Sequence, residues 1–141
     1  MNIHEYQGKA LFRESGIAVQ DGVHCTSVEQ ALAAYGSLGS EVVAVKSQIH
    51  AGGRGKGSLY TPDTGELAME GGVKIAFSRE DVENYASNIL GHRLVTKQTG
   101  PAGKMVNNLS IEAGCAIAHE YYRALLVDRE ADSVLIMAST E

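Results

Sequence analysis

Lys46, Gly53, Arg54 and Gly55 are the residues whose types and spacing point most directly to chemistry; they lie in VVAVKSQIHAGGRGKG, residues 42–57. An apolar, β-branched run ending on a lysine reads as a buried strand. A lysine at the end of such a strand needs an anionic partner or a route to water. Glycines in the following loop let backbone N–H groups approach a ligand closely, and successive N–H groups form an anion-binding concavity. Arg54 adds a planar fork of donors. Strand lysine, glycine loop and arginine together suggest a polyphosphate site.

Two familiar phosphate motifs are absent. A P-loop requires glycine five residues before the glycine of Gly-Lys; here that pair is Gly55-Lys56 and position 50 is His50. A dinucleotide fingerprint starting at Gly53 requires glycine at position 58, which is Ser58. The residues alone therefore leave open a flexible, solvated basic loop.

The elements that must position this loop are legible in outline. Asn2 and Glu5 read as a capping box for a helix over 3–15, with Ile3, Tyr6, Ala10 and Leu11 on one face and Gly16 at its end. Residues 19–25 form a weak strand candidate. Ser27 and Gln30 cap a helix to Leu38, stopped by Gly39. Residues 41–47 are the central strand. Residues 58–72, rich in turn formers around Pro62 and Asp63-Thr64-Gly65, read as an exposed insertion with a turn or short hairpin and no chemistry. A strand over 73–77 precedes a helix capped by Ser78, with Val82, Tyr85, Ala86 and Ile89 inward and Gly91 at its end. Residues 93–99 and 109–112 read as a hairpin about Pro101-Ala102-Gly103, and 116–128 and 133–139 as a final pair of long strands. The fold class is an α/β or α+β mixture, with alternating units in the middle.

Composition narrows the function classes. At 141 residues, 44% hydrophobic and 21% charged, the chain has the makings of a packed core in one domain or two small lobes. A net charge of −5 without a long basic block argues against nucleic acid. The N-terminus is polar and amphipathic, and no run suits a signal peptide or a membrane span. The two cysteines, Cys25 and Cys115, form no CxxC pair, which fits a reducing compartment. The sequence stops inside or just after an apolar strand, giving the expectation that it continues beyond residue 141 and that the last hairpin bares an apolar face or edge.

Several separate stretches resemble one family. They are Asn2-Ile3-His4-Glu5-Tyr6-Gln7 with Lys9, the strand-loop from Val45 to Lys56, Leu94-Val95-Thr96 with Gln98-Thr99, Val127-Asp128-Arg129, and Met137-Ala138-Ser139-Thr140-Glu141. In that order they resemble the β subunits of succinyl-CoA synthetase (succinate–CoA ligase, ADP-forming) and, similarly, of malate–CoA ligase; residues 58–72 resemble a longer loop of some bacterial members. The resemblance implies the beginning of an ATP-grasp fold. Residues 21–113 would be about its first lobe, 1–20 and 114–141 part of the second, and the CoA-ligase domain would lie outside the chain. It implies ATP, with GTP as the alternative, and Mg2+ held by residues beyond 141. It further implies an α-subunit partner carrying the phosphorylated histidine, succinate and CoA as substrates of the complete enzyme, no catalytic residue here, and a bacterial cytoplasmic or mitochondrial matrix location.

By the same resemblance, Lys46, Gly53, Arg54, Gly55, Glu112, Cys115 and Glu120 correspond to nucleotide-contacting positions. Lys46 would neutralise phosphate as a point cation. Glu112 would accept ribose hydroxyls or the adenine amino group from the far side of the cleft, since a carboxylate beside phosphates would repel them. Cys115 stands where many members have a small polar residue, so only a backbone contact survives there. Gln20 would lie near the base, and His50 would pack or hydrogen-bond beside the loop.

Overall fold

The computed structural model describes residues 3–140. Three helices, α1 (Glu5–Glu14), α2 (Val28–Leu38) and α3 (Arg79–Ile89), stand close to their expected limits. Local chemistry explains α2 and α3. Ser27 accepts a hydrogen bond from the Gln30 amide at 3.2 Å, and Ser78 one from the Asp81 amide at 3.0 Å, so each helix start has its loose N–H groups capped. Gly39 closes α2 with φ 59°, a left-handed conformation that favours glycine. Helix α1 departs from the expectation. It begins at Glu5, with His4 as its cap and the Gln7 side chain accepting from the His4 amide at 2.8 Å. Glu5 is thus the first residue of the helix and not the third member of a box; Asn2 lies outside the described residues.

The strands are β1 (Gly22–Cys25), β2 (Val43–Ser47), β3 (Ser58–Tyr60), β4 (Leu67–Glu70), β5 (Val73–Ala76), β6 (Arg93–Val95), β7 (Lys104–Met105), β8 (Leu109–Ala113), β9 (Tyr122–Asp128) and β10 (Ser133–Ser139). They form three sheets, ordered β1-β8-β2-β5, β4-β3-β6-β7 and β9-β10, with every pairing antiparallel. The architecture is therefore α+β, the second of the two classes expected.

Alternation along β2 and β8 divides the first sheet into two unlike faces. Val43, Val45, Leu109 and Ile111 are buried, on the side where α2 and α3 pack with Ala31, Ala34, Val82, Ala86 and Ile89. The register pairs Ala44 with Glu112 and Lys46 with Ser110, which puts Lys46 and Glu112 together on the opposite face. There they meet α1. No residue of α1 is buried, and Ile3 and Leu11 are exposed, so the expected apolar stripe does not enter the core. The helix docks through polar and stacking contacts instead.

Two pairings differ from the sequence reading. Residues 109–112 are not the hairpin partner of 93–99: β8 lies between β1 and β2, while β6 pairs with β3 and β7. The strand at 93 stops at Val95 because Thr96 and Thr99 form a hydroxyl-closed turn, the Thr96 amide donating to Thr99 Oγ1 at 2.8 Å. Residues 58–72 are more than an exposed loop. They supply β3 and β4, and Leu59, opposite Leu94 on β6, is fully buried. Gly57 leads into β3 so close to β6 that a Cβ there would meet the Val95 carbonyl oxygen at 2.6 Å. The β9-β10 hairpin bares apolar side chains, Leu125, Val127 and Ile136 among them, as expected.

Leu59→Ala is expected to lower unfolding free energy by about 2–5 kcal/mol in urea denaturation, the usual cost of an emptied core position. A loss within about 0.5 kcal/mol, typical of surface substitutions, would return residues 58–72 to a peripheral insertion.

Candidate functional site

Burial of Glu112 governs the charged face. The residue is only 2% exposed, at the centre of the first sheet, and a carboxylate there requires donors. It has three. Lys9 Nζ lies at 2.7 Å and Lys46 Nζ at 3.0 Å from Oε2, and the Ser110 hydroxyl donates to Oε1 at 3.1 Å. Glu5, one helical turn before Lys9, continues the network. Its Oε1 accepts from Lys46 Nζ at 2.6 Å, and its Oε2 accepts from the Arg54 guanidinium. The other arm of Arg54 donates to the Ser47 carbonyl at 2.7 Å, which ties the loop back to the end of β2. Three cations, Lys9, Lys46 and Arg54, thus surround two carboxylates.

The cluster fixes its own charge states. Burial pushes the Glu5 carboxyl up, but hydrogen bonds and charge from Lys46 and Arg54 outweigh it and hold the pKa at about 2, against an ordinary 4.5. Burial pulls Lys46 down; its bonds to Glu5 and Glu112 prevail and leave it raised, a firm ammonium. Beside the cluster runs a column of rings: His50 stacks on His4 at 4.0 Å, and Tyr6 stacks on His24 at 4.0 Å. Burial, with His50, His24 and Arg54 nearby, holds His4 below its usual range.

An open cleft of about 500 Å³ lies against this cluster, lined by Ile3, Glu5, Ile49, His50, Ala51, Gly52, Arg54 and Gln98. Arg54 lines it as expected, with Gly52 there instead of the expected Gly53 and Gly55, and Lys46 does not line it; Lys46 meets Glu5, which does. Gly53 and Gly55 flank Arg54 without lining the cleft. Gly53, at φ 74°, caps the single 3-10 turn Arg54–Lys56 and so aims the arginine. The Gly52 amide donates to Gln98 Oε1 at 2.6 Å.

The expectation for Glu112 is corrected. Its carboxylate is not across a cleft from Lys46; it is bonded to it, because the β2–β8 register sets both on one face. Cys115 and Glu120 follow β8 on the exposed stretch between β8 and β9. Gln20 Nε2 lies 2.8 Å from Cys115 Sγ, and Cys115 lines a separate depression with Ser40, Val42 and Gly114. Among the described residues no hydrogen bond or ion pair joins Glu120 to the cluster. His50 takes the packing role expected of it, by stacking.

Sequence reasoning missed Glu5 and Lys9 as members of the site. A signal was present: strands with lysine and glutamate on one face require opposite charges from the element covering it. Glu5 and Lys9 are spaced i, i+4 on one helix face.

The described residues hold no group of three or more His, Cys, Asp or Glu able to bind a metal ion, and no helix among them is long and apolar enough to cross a membrane. Half-buried Lys46 and Arg54 thus converge on the Glu5 carboxylate beside a cleft in an α+β frame. The sequence profile of the ATP-grasp domain matches residues 2–141, and the chain belongs to that family, whose name implies nucleotide binding. It is 51% identical over 141 residues to the succinate–CoA ligase (ADP-forming) subunit beta of Bacillus cytotoxicus, and 52% identical to those of Nitrobacter hamburgensis and Cupriavidus necator. All of this chain is covered in each case, against 33%, 35% and 33% of those proteins. The chain thus spans about a third of the length of the curated relatives it matches.

Glu5 has a folded-state pKa below its unfolded value, so its contribution to stability is complete above pH 4.5 and is lost as pH falls towards 2. Glu5→Gln is expected to cost on the order of 1–2 kcal/mol at pH 7, discounted for partial exposure, with the gap to wild type closing across that window in pH-dependent denaturation. A gap independent of pH would place the cost in packing instead of charge.

Proposed function

We propose that the chain grips the phosphates of ATP through Lys46 and Arg54. One observation carries this reading. Lys46, at the end of β2, and Arg54, seven residues on from Ser47, converge on the two oxygens of a single carboxylate, that of Glu5. A pair of cations that holds a carboxylate between them has the spacing to hold phosphate oxygens. In this reading Lys46 supplies a point charge, Arg54 a planar fork, and the backbone about Gly53 and Gly55 close approach. Glu112 is the carboxylate that keeps Lys46 in place from within the sheet, and its route to sugar or base is an oxygen shared with that task. Cys115, through its backbone, and Glu120 serve the nucleoside side with Gln20, where the choice of ATP over GTP would be read.

The complete protein would then be the β subunit of an acid–CoA ligase. It would convert ATP, succinate and CoA to ADP, phosphate and succinyl-CoA, through a phosphohistidine on a partner α subunit. The identity to named succinate–CoA ligase subunits supports this reading, with malate–CoA ligase as the alternative, since the choice of acid rests on residues outside this chain. About residues 21–113 would form the first ATP-grasp lobe, with 1–20 and 114–141 contributing to the second; the separate β9-β10 sheet supports that division. Magnesium would be held by residues outside this chain, in a bacterial cytoplasm or mitochondrial matrix. In this reading the chain's own share of the chemistry is to bind phosphate, neutralise its charge and orient it.

Lys46→Ala is expected to weaken ATP use by about 1–3 kcal/mol, the loss of a charge-assisted hydrogen bond, in steady-state kinetics of the assembled enzyme with each substrate varied in turn. The succinate and CoA constants should hold, and Lys46→Arg should not restore ATP use, because a planar fork cannot replace a point charge between Glu5 and Glu112. Unchanged ATP constants would make residues 47–57 a solvated basic loop.

A further inference from the structure

We propose that Glu5 is a built-in occupant of the phosphate site, so that α1 is a strap which an entering polyphosphate must displace. The inference rests on reading Lys46 and Arg54 as phosphate holders. Both carboxylate oxygens of Glu5 are engaged, one by Lys46 at 2.6 Å and the other by Arg54, and Glu5 stands at the wall of the cleft. Lys46 does not line the cleft and is bonded to Glu5, which does, so a ligand entering by the cleft meets Glu5 before the lysine. A second internal acceptor is in place nearby: Gln98 Oε1 takes the Gly52 amide at 2.6 Å. Lys46 and Arg54, the side-chain donors expected to grip a ligand, are already engaged by the chain itself.

The strap is held by polar contacts, the strongest of them Lys9 to Glu112, which keeps Lys46 and Ser110 as partners when α1 moves. Helix α1 buries no residue. It is held by the Glu5 and Lys9 ion pairs, the stacking of Tyr6 on His24, and a 3.3 Å bond from the Tyr6 amide to Gln48 Oε1. These contacts exchange for solvent more readily than a buried apolar face does. When Glu5 leaves, Glu112 keeps Lys46 oriented, since its bond to Lys46 at 3.0 Å does not involve α1. The cations facing Glu5 are Lys9, Lys46 and Arg54; when α1 is displaced Lys9 leaves with Glu5, so Lys46 and Arg54 against Glu112 keep the local charge at +1, now with no carboxylate between the two cations. A tethered carboxylate acts as a competitor at an effective concentration in the millimolar range, which excludes chloride or acetate and yields to a multiply charged polyphosphate. The ligand class is thus a nucleoside di- or triphosphate, and the strap sets a threshold of charge for entry.

Calorimetric titration with tripolyphosphate and with ATP, at fixed ionic strength, tests this on wild type, Glu5→Gln and Lys46→Ala, each checked for folding by circular dichroism. Removing the competitor should tighten both ligands about tenfold in Glu5→Gln, while Lys46→Ala weakens them. Equal or weaker binding by folded Glu5→Gln, with Lys46→Ala still weakened, would overturn the strap and leave the phosphate reading standing. Binding indifferent to Lys46→Ala would overturn both. Should Glu5→Gln fail to fold, hydrogen exchange on wild type decides: saturating ATP should speed exchange of the α1 amides by roughly threefold or more, and unchanged or slowed exchange would overturn the strap.

Discussion

A carboxylate sealed inside a sheet is the constraint on which the rest of this structure depends. Glu112 is 2% exposed and sits on β8, opposite Ala44 of β2. Removing one partner from a buried ion pair costs about 3–5 kcal/mol, because the stranded charge keeps its desolvation penalty. The chain meets that demand with two lysines from different directions, Lys46 from the neighbouring strand and Lys9 from α1. The second lysine fixes where α1 must lie. Once Lys9 reaches Glu112, Glu5 on the same helix face reaches Lys46 and Arg54. The site is an outgrowth of one buried charge.

The two faces of the first sheet show how this arrangement is compatible with a stable core. Valines and isoleucines facing α2 and α3 exclude water on one side. The other side carries Lys46, Glu112, Ser110 and His24 under a helix that contributes charge and a tyrosine ring. Strand alternation lets a single pair of strands serve both purposes. The apolar cluster lies on one face and the charge cluster on the other.

Much of the fold was legible in the sequence because its signals are local. Ser27, Ser78 and Gly39 announce helix ends by their own hydrogen bonds and backbone conformation, and the limits of α2 and α3 follow. Pairings between strands distant in sequence were not legible. Nothing local in residues 58–60 says that they lie between β4 and β6, or that 109–113 leaves its apparent neighbour to join β1 and β2. The site divides in the same way. Lys46 and Arg54 declare themselves as donors by type and position, yet the sequence does not say what fills them. Glu5 reads as a helix cap and Glu112 as a distant carboxylate until the register places both against Lys46. The separate β9-β10 sheet, with its exposed apolar side chains, belongs to a chain that spans about a third of its named relatives, 33–35% of their length.

The central claim is that the cations gathered around Glu5 are the grip for nucleotide phosphates. A crystal structure of the protein with a non-hydrolysable ATP analogue tests it most directly. The account predicts phosphate oxygens within hydrogen-bond distance, about 2.7–3.0 Å, of Lys46 Nζ and the Arg54 guanidinium, with the Glu5 carboxylate moved away. An analogue bound elsewhere, with Glu5 still bridging Lys46 and Arg54, would contradict it.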